Sequence, residues 1–257
     1  MKNPLREYMN FAIETAHAAG RLTLGYFQAD LETEYKEDDS PVTIADRKAE
    51  ALIRSKIEKR YPKHTIMGEE YGGNKEKADT CWFIDPIDGT KSFIRGVPHY
   101  AVLIGLEIEG VCEVGVVYFP ALDEMIYAAT DEGCYWNGRR TRVSQTDRLV
   151  RSFVSYTNAA DFEKYGRAKA WRRIKEAFYN CVGWPDAYGH ALVATGRIEL
   201  MLDPIVSAWD CAPFPPILRE AGGFFGDWSG SETIYANECL STSKTLLPQV
   251  LELIRGE

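Results

Sequence analysis

One short run constrains this chain more than any other: Trp82-Phe83-Ile84-Asp85-Pro86-Ile87-Asp88-Gly89-Thr90, an apolar strand that stops at two carboxylates, a proline, a glycine and a hydroxyl. A continuous apolar run belongs in a buried sheet, so the fold must bring two acids to a strand end while hiding everything before them. Pro86 fixes the backbone direction between the aspartates, and Gly89 permits a turn that a side chain would obstruct. Both carboxylates can then face one point. Hard divalent cations such as magnesium take oxygen ligands and keep several waters, which makes Asp85 and Asp88 candidate ligands. The amides of Gly89 and Thr90 would meet phosphate oxygens if a helix starts there. The competing reading is a surface turn, since Asp, Pro and Gly are common turn formers.

Two other stretches place acid beside an apolar element: Ile66-Met67-Gly68-Glu69-Glu70 upstream and Ala208-Trp209-Asp210 downstream. Apolar periodicity predicts helices over Leu5–Phe27 and Val42–Tyr61, the second stopped by Pro62. Short β-rich runs at Cys81–Ile84, Tyr100–Glu107, Glu113–Tyr118 and Met125–Thr130 predict an antiparallel sheet. Asn137-Gly138 predicts a tight hairpin turn. Beyond Arg151 the pattern alternates: strand Phe153–Tyr156, helix Lys164–Phe178, a strand around Cys181, helix Ala187–Thr195, strand Glu199–Leu202, helix Ala208–Glu220. Strand Cys239–Ser243 and helix Lys244–Arg255 follow, giving an α/β (α+β) chain. Two halves, residues 1–143 and residues 144–257, are expected to share a cleft.

Composition narrows the partners. The 257 residues are 45% hydrophobic and 26% charged, an ordinary globular balance. A net charge of −8 argues against nucleic acid, and an acidic protein handling an anion needs local positive charge, which metal ions supply. The six cysteines show no zinc-type spacing. No stretch has the length and apolarity of a signal peptide or membrane span, so a cytoplasmic protein with no membrane partner is expected.

Taken in order, Gly68-Glu69-Glu70, Asp85-Pro86-Ile87-Asp88-Gly89-Thr90, Trp209-Asp210 and Glu220-Ala221-Gly222-Gly223 resemble the inositol monophosphatase family across nearly the whole chain. The resemblance implies a layered α/β/α/β/α sandwich of the inositol monophosphatase and fructose-1,6-bisphosphatase (sugar phosphatase) type. It implies metal ligation by Glu69, Asp85, the Ile87 carbonyl, Asp88 and Asp210, with two or three Mg2+ ions and Mn2+ as a substitute. It gives Thr90 and Asp46, with Glu69, the orienting and deprotonating of an attacking water, and places Lys36 on a nearby loop. Asp46 retains a second reading, because Thr43-Ile44-Ala45-Asp46 also has the pattern of a helix capping box. A homodimer is a further implication.

Within the family, Gly89 to Pro98 and Asp203 to Pro213 look most like the histidinol-phosphate phosphatase branch. The substrate is then a small phosphate ester, L-histidinol phosphate first and inositol 1-phosphate second. Gly89 and Thr90 would contact its phosphate. Asp203 and Asp186 would contact its cationic organic part, although Asp186 also fits an N-cap for the helix near Ala187. His190 is expected to be a packed helix residue. Asp85–Thr90 misses the nucleophile motif of haloacid dehalogenase-type phosphatases by one residue, and Gly89-Thr90-Lys91-Ser92 lacks the P-loop glycine spacing. A non-enzymatic scaffold that binds metal and phosphate is the remaining alternative.

Overall fold

The computed structural model of the chain describes residues 4–37, 39–73 and 79–256. A small ribbon, β1 (Glu34–Tyr35) with β2 (Pro41–Val42), leads into a seven-stranded sheet. Its strands are β3 (Thr65–Gly68), β4 (Thr80–Asp88), β5 (Ala101–Ile108), β6 (Val111–Phe119), β7 (Glu124–Ala129), β8 (Gly133–Trp136) and β9 (Arg139–Arg140), adjacent in that order. All neighbours pair antiparallel except β3 with β4. The second sheet holds β10 (Phe153–Ser155), β11 (Asn180–Val182), β12 (Leu200–Asp203), β13 (Gly223–Gly226) and β14 (Cys239–Ser243), in spatial order β11-β10-β12-β14-β13.

The helices are α1 (Pro4–Leu24), α2 (Ile44–Arg60), α3 (Thr90–Ile94), α4 (Asp161–Lys164), α5 (Ala168–Ala177), α6 (Asp186–Ala194), α7 (Ala208–Cys211), α8 (Phe214–Glu220) and α9 (Leu247–Arg255). Alternation along the strands explains how they stack. Trp82, Ile84, Val102 and Ile104 pack against Ala12, Ala16 and Ala19 of α1 and Ala49, Ile53 and Ile57 of α2. Their neighbours Cys81, Phe83, Ala101 and Leu103 point the other way, toward Ala191 of α6 and Phe214, Ile217 and Leu218 of α8. A strand feeding two cores must be apolar at every position, which is why β4 reads as an unbroken run.

The second sheet packs its other face, through Val154, Leu200, Leu202 and Leu240, on Trp171 and Ile174 of α5 and Val250 of α9. The layers are therefore α1/α2, large sheet, α6/α8, small sheet and α5/α9, the α/β/α/β/α sandwich expected. Residues from both sides of position 143 share the middle core, and Val143 donates its amide to the Ala221 carbonyl.

Several helix expectations need correction. The first helix ends at Leu24, not Phe27. The helix expected over Lys164–Phe178 is two, broken where Gly166 takes φ +73°. The helix expected over Ala208–Glu220 is also two, because Pro213 and Pro215 lack the N–H groups a continuous helix requires. The last helix begins at Leu247, not Lys244, with proline in its first turn. Strands β3 and β13 were not anticipated; their glycines dilute the β signal.

Candidate active site

The end of β4 is irregular in a useful way. Pairing with β5 slips between Asp85 and Asp88, as a strand interrupted by proline must, and the Ile87 amide donates to Asp85 Oδ1 at 2.9 Å. Gly89 then adopts φ +77° and starts α3. The left-handed backbone favours glycine there, and an added Cβ would also lie 2.9 Å from Asp186 Oδ2 and push that carboxylate aside.

Capping boxes hold two of the acids. Asp46 is the third residue of α2, and its Oδ2 accepts from the Thr43 amide at 2.8 Å and the Thr43 hydroxyl at 2.6 Å. Its other oxygen, Oδ1, lies 3.4 Å from Thr90 Oγ1, whose closer acceptor is the Ile87 carbonyl at 3.0 Å. One oxygen of Asp46 therefore serves the capping box, and the other lies beside Thr90. Asp210 repeats the device at the start of α7, where its Oδ2 accepts from the Ser207 amide at 2.7 Å.

Asp210 reaches β4 because two paired glycines, Gly105 on β5 and Gly115 on β6, leave the sheet surface bare. A Cβ on Gly115 would sit 1.9 Å from the Pro213 carbonyl oxygen, and one on Gly105 2.7 Å from Ala212. The α7–α8 junction thus rests its backbone directly on the sheet. Glu69 arrives from the end of β3, its amide bonded to the Ile84 carbonyl at 3.3 Å. The buried Glu50 carboxylate accepts from the amides of Glu70 and Tyr71 at 2.7 and 3.1 Å and fixes that loop. Lys36 Nζ lies 2.8 Å from Glu69 and 2.7 Å from Glu70.

The result is a concentration of buried negative charge. Carboxylate oxygens of Asp85, Asp88 and Asp210 lie within 4.8 Å of one another. Burial, then the charges of Glu69, Asp88 and Asp210, hold the Asp85 carboxyl well above the usual range. Burial, then Asp186 and Asp210, do the same to Asp88, although the Ala187 amide donates to its Oδ2 at 2.9 Å. Asp210 is pushed up to about 7, chiefly by burial, with Glu69 and Asp186 adding to it. Such a group cannot ionise fully without a compensating cation. The donor set is all oxygen, so the residues present fit a hard divalent ion.

A cleft of about 730 Å³ joins these acids to Gly89, Thr90, Lys91, Asp161 and Asp186, and a smaller cavity of about 190 Å³ continues from Asp88 and Asp210 to Asp203, His190 and Cys239. Asp203 is buried, with Oδ1 on the Thr157 amide at 3.1 Å. Asp186 does not cap α6, contrary to that alternative: Pro185 holds the cap position, and Asp186 itself takes φ +54° with its amide on Thr157 Oγ1 at 2.8 Å. Its carboxyl rises to about 7 through burial and then the Asp203 charge. His190 is packed as expected, but it also meets polar partners. Glu50, Thr157 and Asp161 escaped the sequence reading. Glu50 sits in a helix interior, Thr157 in a bend and Asp161 at the start of the short helix α4, where an acid or a threonine carries no distinguishing local pattern.

The inositol monophosphatase family profile matches residues 4–256. The chain is 40% identical to a histidinol-phosphatase of Chlorobaculum parvum over 93% of each sequence. It is 33% identical to a histidinol-phosphatase of Mycobacterium tuberculosis, covering 93% of this chain and 95% of that protein. Among solved structures, the extragenic suppressor protein suhB of Bartonella henselae superposes with a TM-score of 0.90 at 28% identity, covering 97% of this chain and 98% of that one. With the layered fold and the converging acids, these matches establish that the chain belongs to the inositol monophosphatase family, a family of metal-dependent phosphatases.

Proposed function

We propose that this protein hydrolyses L-histidinol phosphate to L-histidinol and phosphate, as in histidine biosynthesis, by direct attack of water assisted by Mg2+. The observation that carries the substrate is the cavity beside the acid cluster, where Asp161, Asp186 and Asp203 face the space next to Asp88 and Asp210. A leaving group bearing an ammonium and an imidazole suits that acidic lining, whereas a neutral polyol gains little from it.

In this reading Glu69, Asp85, Asp88, Asp210 and the Ile87 carbonyl hold the ions. Magnesium bound there supplies Lewis acidity, easing deprotonation of water and offsetting charge on the ester oxygens. Thr90 has one hydroxyl proton and two acceptors, Ile87 O at 3.0 Å and Asp46 Oδ1 at 3.4 Å. Were the Ile87 carbonyl to serve as a ligand, the hydroxyl proton would be free to turn to Asp46, and the Thr90 oxygen would accept from and orient the attacking water. Burial raises the Asp46 carboxyl, which improves it as a base near neutral pH. Gly89 and Thr90 present backbone amides to the phosphate, and Lys91 lines the same cleft. The scheme uses no covalent phosphoenzyme.

The free state of the cysteines among the described residues supports a reducing, cytoplasmic setting. No described helix is long and apolar enough to cross a membrane. Turnover of histidinol phosphate, inositol 1-phosphate and adenosine 3′,5′-bisphosphate, measured side by side with Mg2+, tests the assignment. Histidinol phosphate is expected to have the highest kcat/KM, and a preference for inositol 1-phosphate would replace the reading with the family's other substrate.

A further inference from the structure

We propose that His190, Asp203 and Cys239 form a second metal site, suited to a borderline divalent ion such as zinc, on the substrate side of the cleft. The three side chains come from α6, the end of β12 and the start of β14, and all are buried. His190 Nε2 lies 3.6 Å from Asp203 Oδ2 and 3.6 Å from Cys239 Sγ, and one ligand atom from each residue falls within 4.8 Å of the others.

The 3.6 Å gap to Asp203 is too long for an N–H···O hydrogen bond. It is close to the edge of a tetrahedron around zinc, about 3.3–3.6 Å for bonds of about 2.0–2.3 Å to nitrogen, oxygen and sulfur. The imidazole is also held for the purpose. Its Nδ1 is 2.7 Å from Ser241 Oγ; with Nδ1–H donating there, loss of the Nε2 proton on metal binding would turn a lone pair toward Asp203 and Cys239, the outer-shell arrangement that fixes a metal-binding histidine. A fourth position is open, because all three residues line the cavity of about 190 Å³. Thiolate and imidazole donors separate this site from the all-oxygen cluster of Asp85, Asp88 and Asp210 and favour zinc over magnesium. Binding releases the Cys239 thiol proton, and any second proton on His190, to solvent.

Occupancy takes an Asp203 oxygen away from the substrate pocket and brings positive charge to it, so zinc acts as an inhibitor that weakens substrate binding. That consequence rests on the histidinol-phosphate reading; the binding itself does not. The test is a titration of the magnesium-saturated protein with cobalt(II), read by absorption and by equilibrium dialysis. The expected result is a thiolate-to-cobalt charge-transfer band that zinc abolishes, with the wild-type protein binding one cobalt per chain more than Cys239→Ser. Cys239→Ser is expected to lose the band, His190→Asn to weaken cobalt binding at least tenfold, and Cys211→Ser to keep the band. Wild-type protein without the band, or a band that survives Cys239→Ser, overturns the site whatever the preferred ester proves to be.

Discussion

Two buried clusters face the same cleft and differ in how their charge is balanced. Around Asp85, Asp88 and Asp210 every donor is oxygen, and the Lys36 ammonium engages Glu69 and Glu70 instead. Around Asp203 the balance is internal. Burial opposes a charge on His190, but Cys239 and Asp203 outweigh it and push the imidazole up to about 9. One cluster is therefore incomplete without an external cation, while the other carries its own and can exchange it for a softer one. On the proposed reading, the contrast separates chemistry from recognition along one cavity.

The largest expected effect comes from removing a charge from the first cluster. Asp88→Asn should lower kcat/KM by about a thousandfold or more, since several kcal/mol of charge stabilisation are at stake and each 1.4 kcal/mol is about tenfold. Steady-state kinetics check this, and near-normal activity would break the contrast. Next, Gly115→Ala puts a methyl group into the Pro213 carbonyl. It should destabilise the fold by about 3 kcal/mol and weaken magnesium binding by moving Asp210, as denaturation and metal titration would report.

A smaller effect is expected on the recognition side. Asp186→Asn should raise KM for histidinol phosphate about tenfold, the scale of one charge-assisted hydrogen bond, and leave that of a neutral ester within about twofold. Asp203→Asn should show the same bias. Equal changes on both esters would remove the acidic pocket from specificity.

The smallest is a pH effect on the metal-free protein. Asp186 and Asp210 titrate near 7 when folded but at about 3.9 when unfolded. The folded state then holds protons that the unfolded chain releases, so stability falls as pH rises from about 4 through about 7. Magnesium should therefore raise Tm more at pH 8 than at pH 5, by about 2–4 °C per kcal/mol of differential binding. A larger rise at pH 5 would contradict the charge balance argued for the first cluster.

What was legible in the sequence follows the reach of local pattern. Asp85 and Asp88 stand out because an apolar strand ends on them, and Asp46 because Thr43 begins its helix. Ser207 and Asp210 have the same spacing as Thr43 and Asp46, a capping signal present in the chain but not read. Gly105 and Gly115 look like ordinary strand glycines; their role depends on Ala212 and Pro213, roughly a hundred positions away, and no periodicity reports that. Thr157 sits in a bend and Asp161 begins a four-residue helix, places where polar residues are common, and only the folded chain brings Thr157 to Asp186 and Asp203. The broken helices at Gly166 and Pro213 were visible as residues, but their apolar faces continue across the break.

Anomalous diffraction from crystals soaked in Mn2+ tests the central claim most directly. Manganese is expected in coordination contact with carboxylate oxygens of Asp85, Asp88 and Asp210 at the end of β4. Anomalous peaks elsewhere, with none touching Asp88 or Asp210, would contradict it.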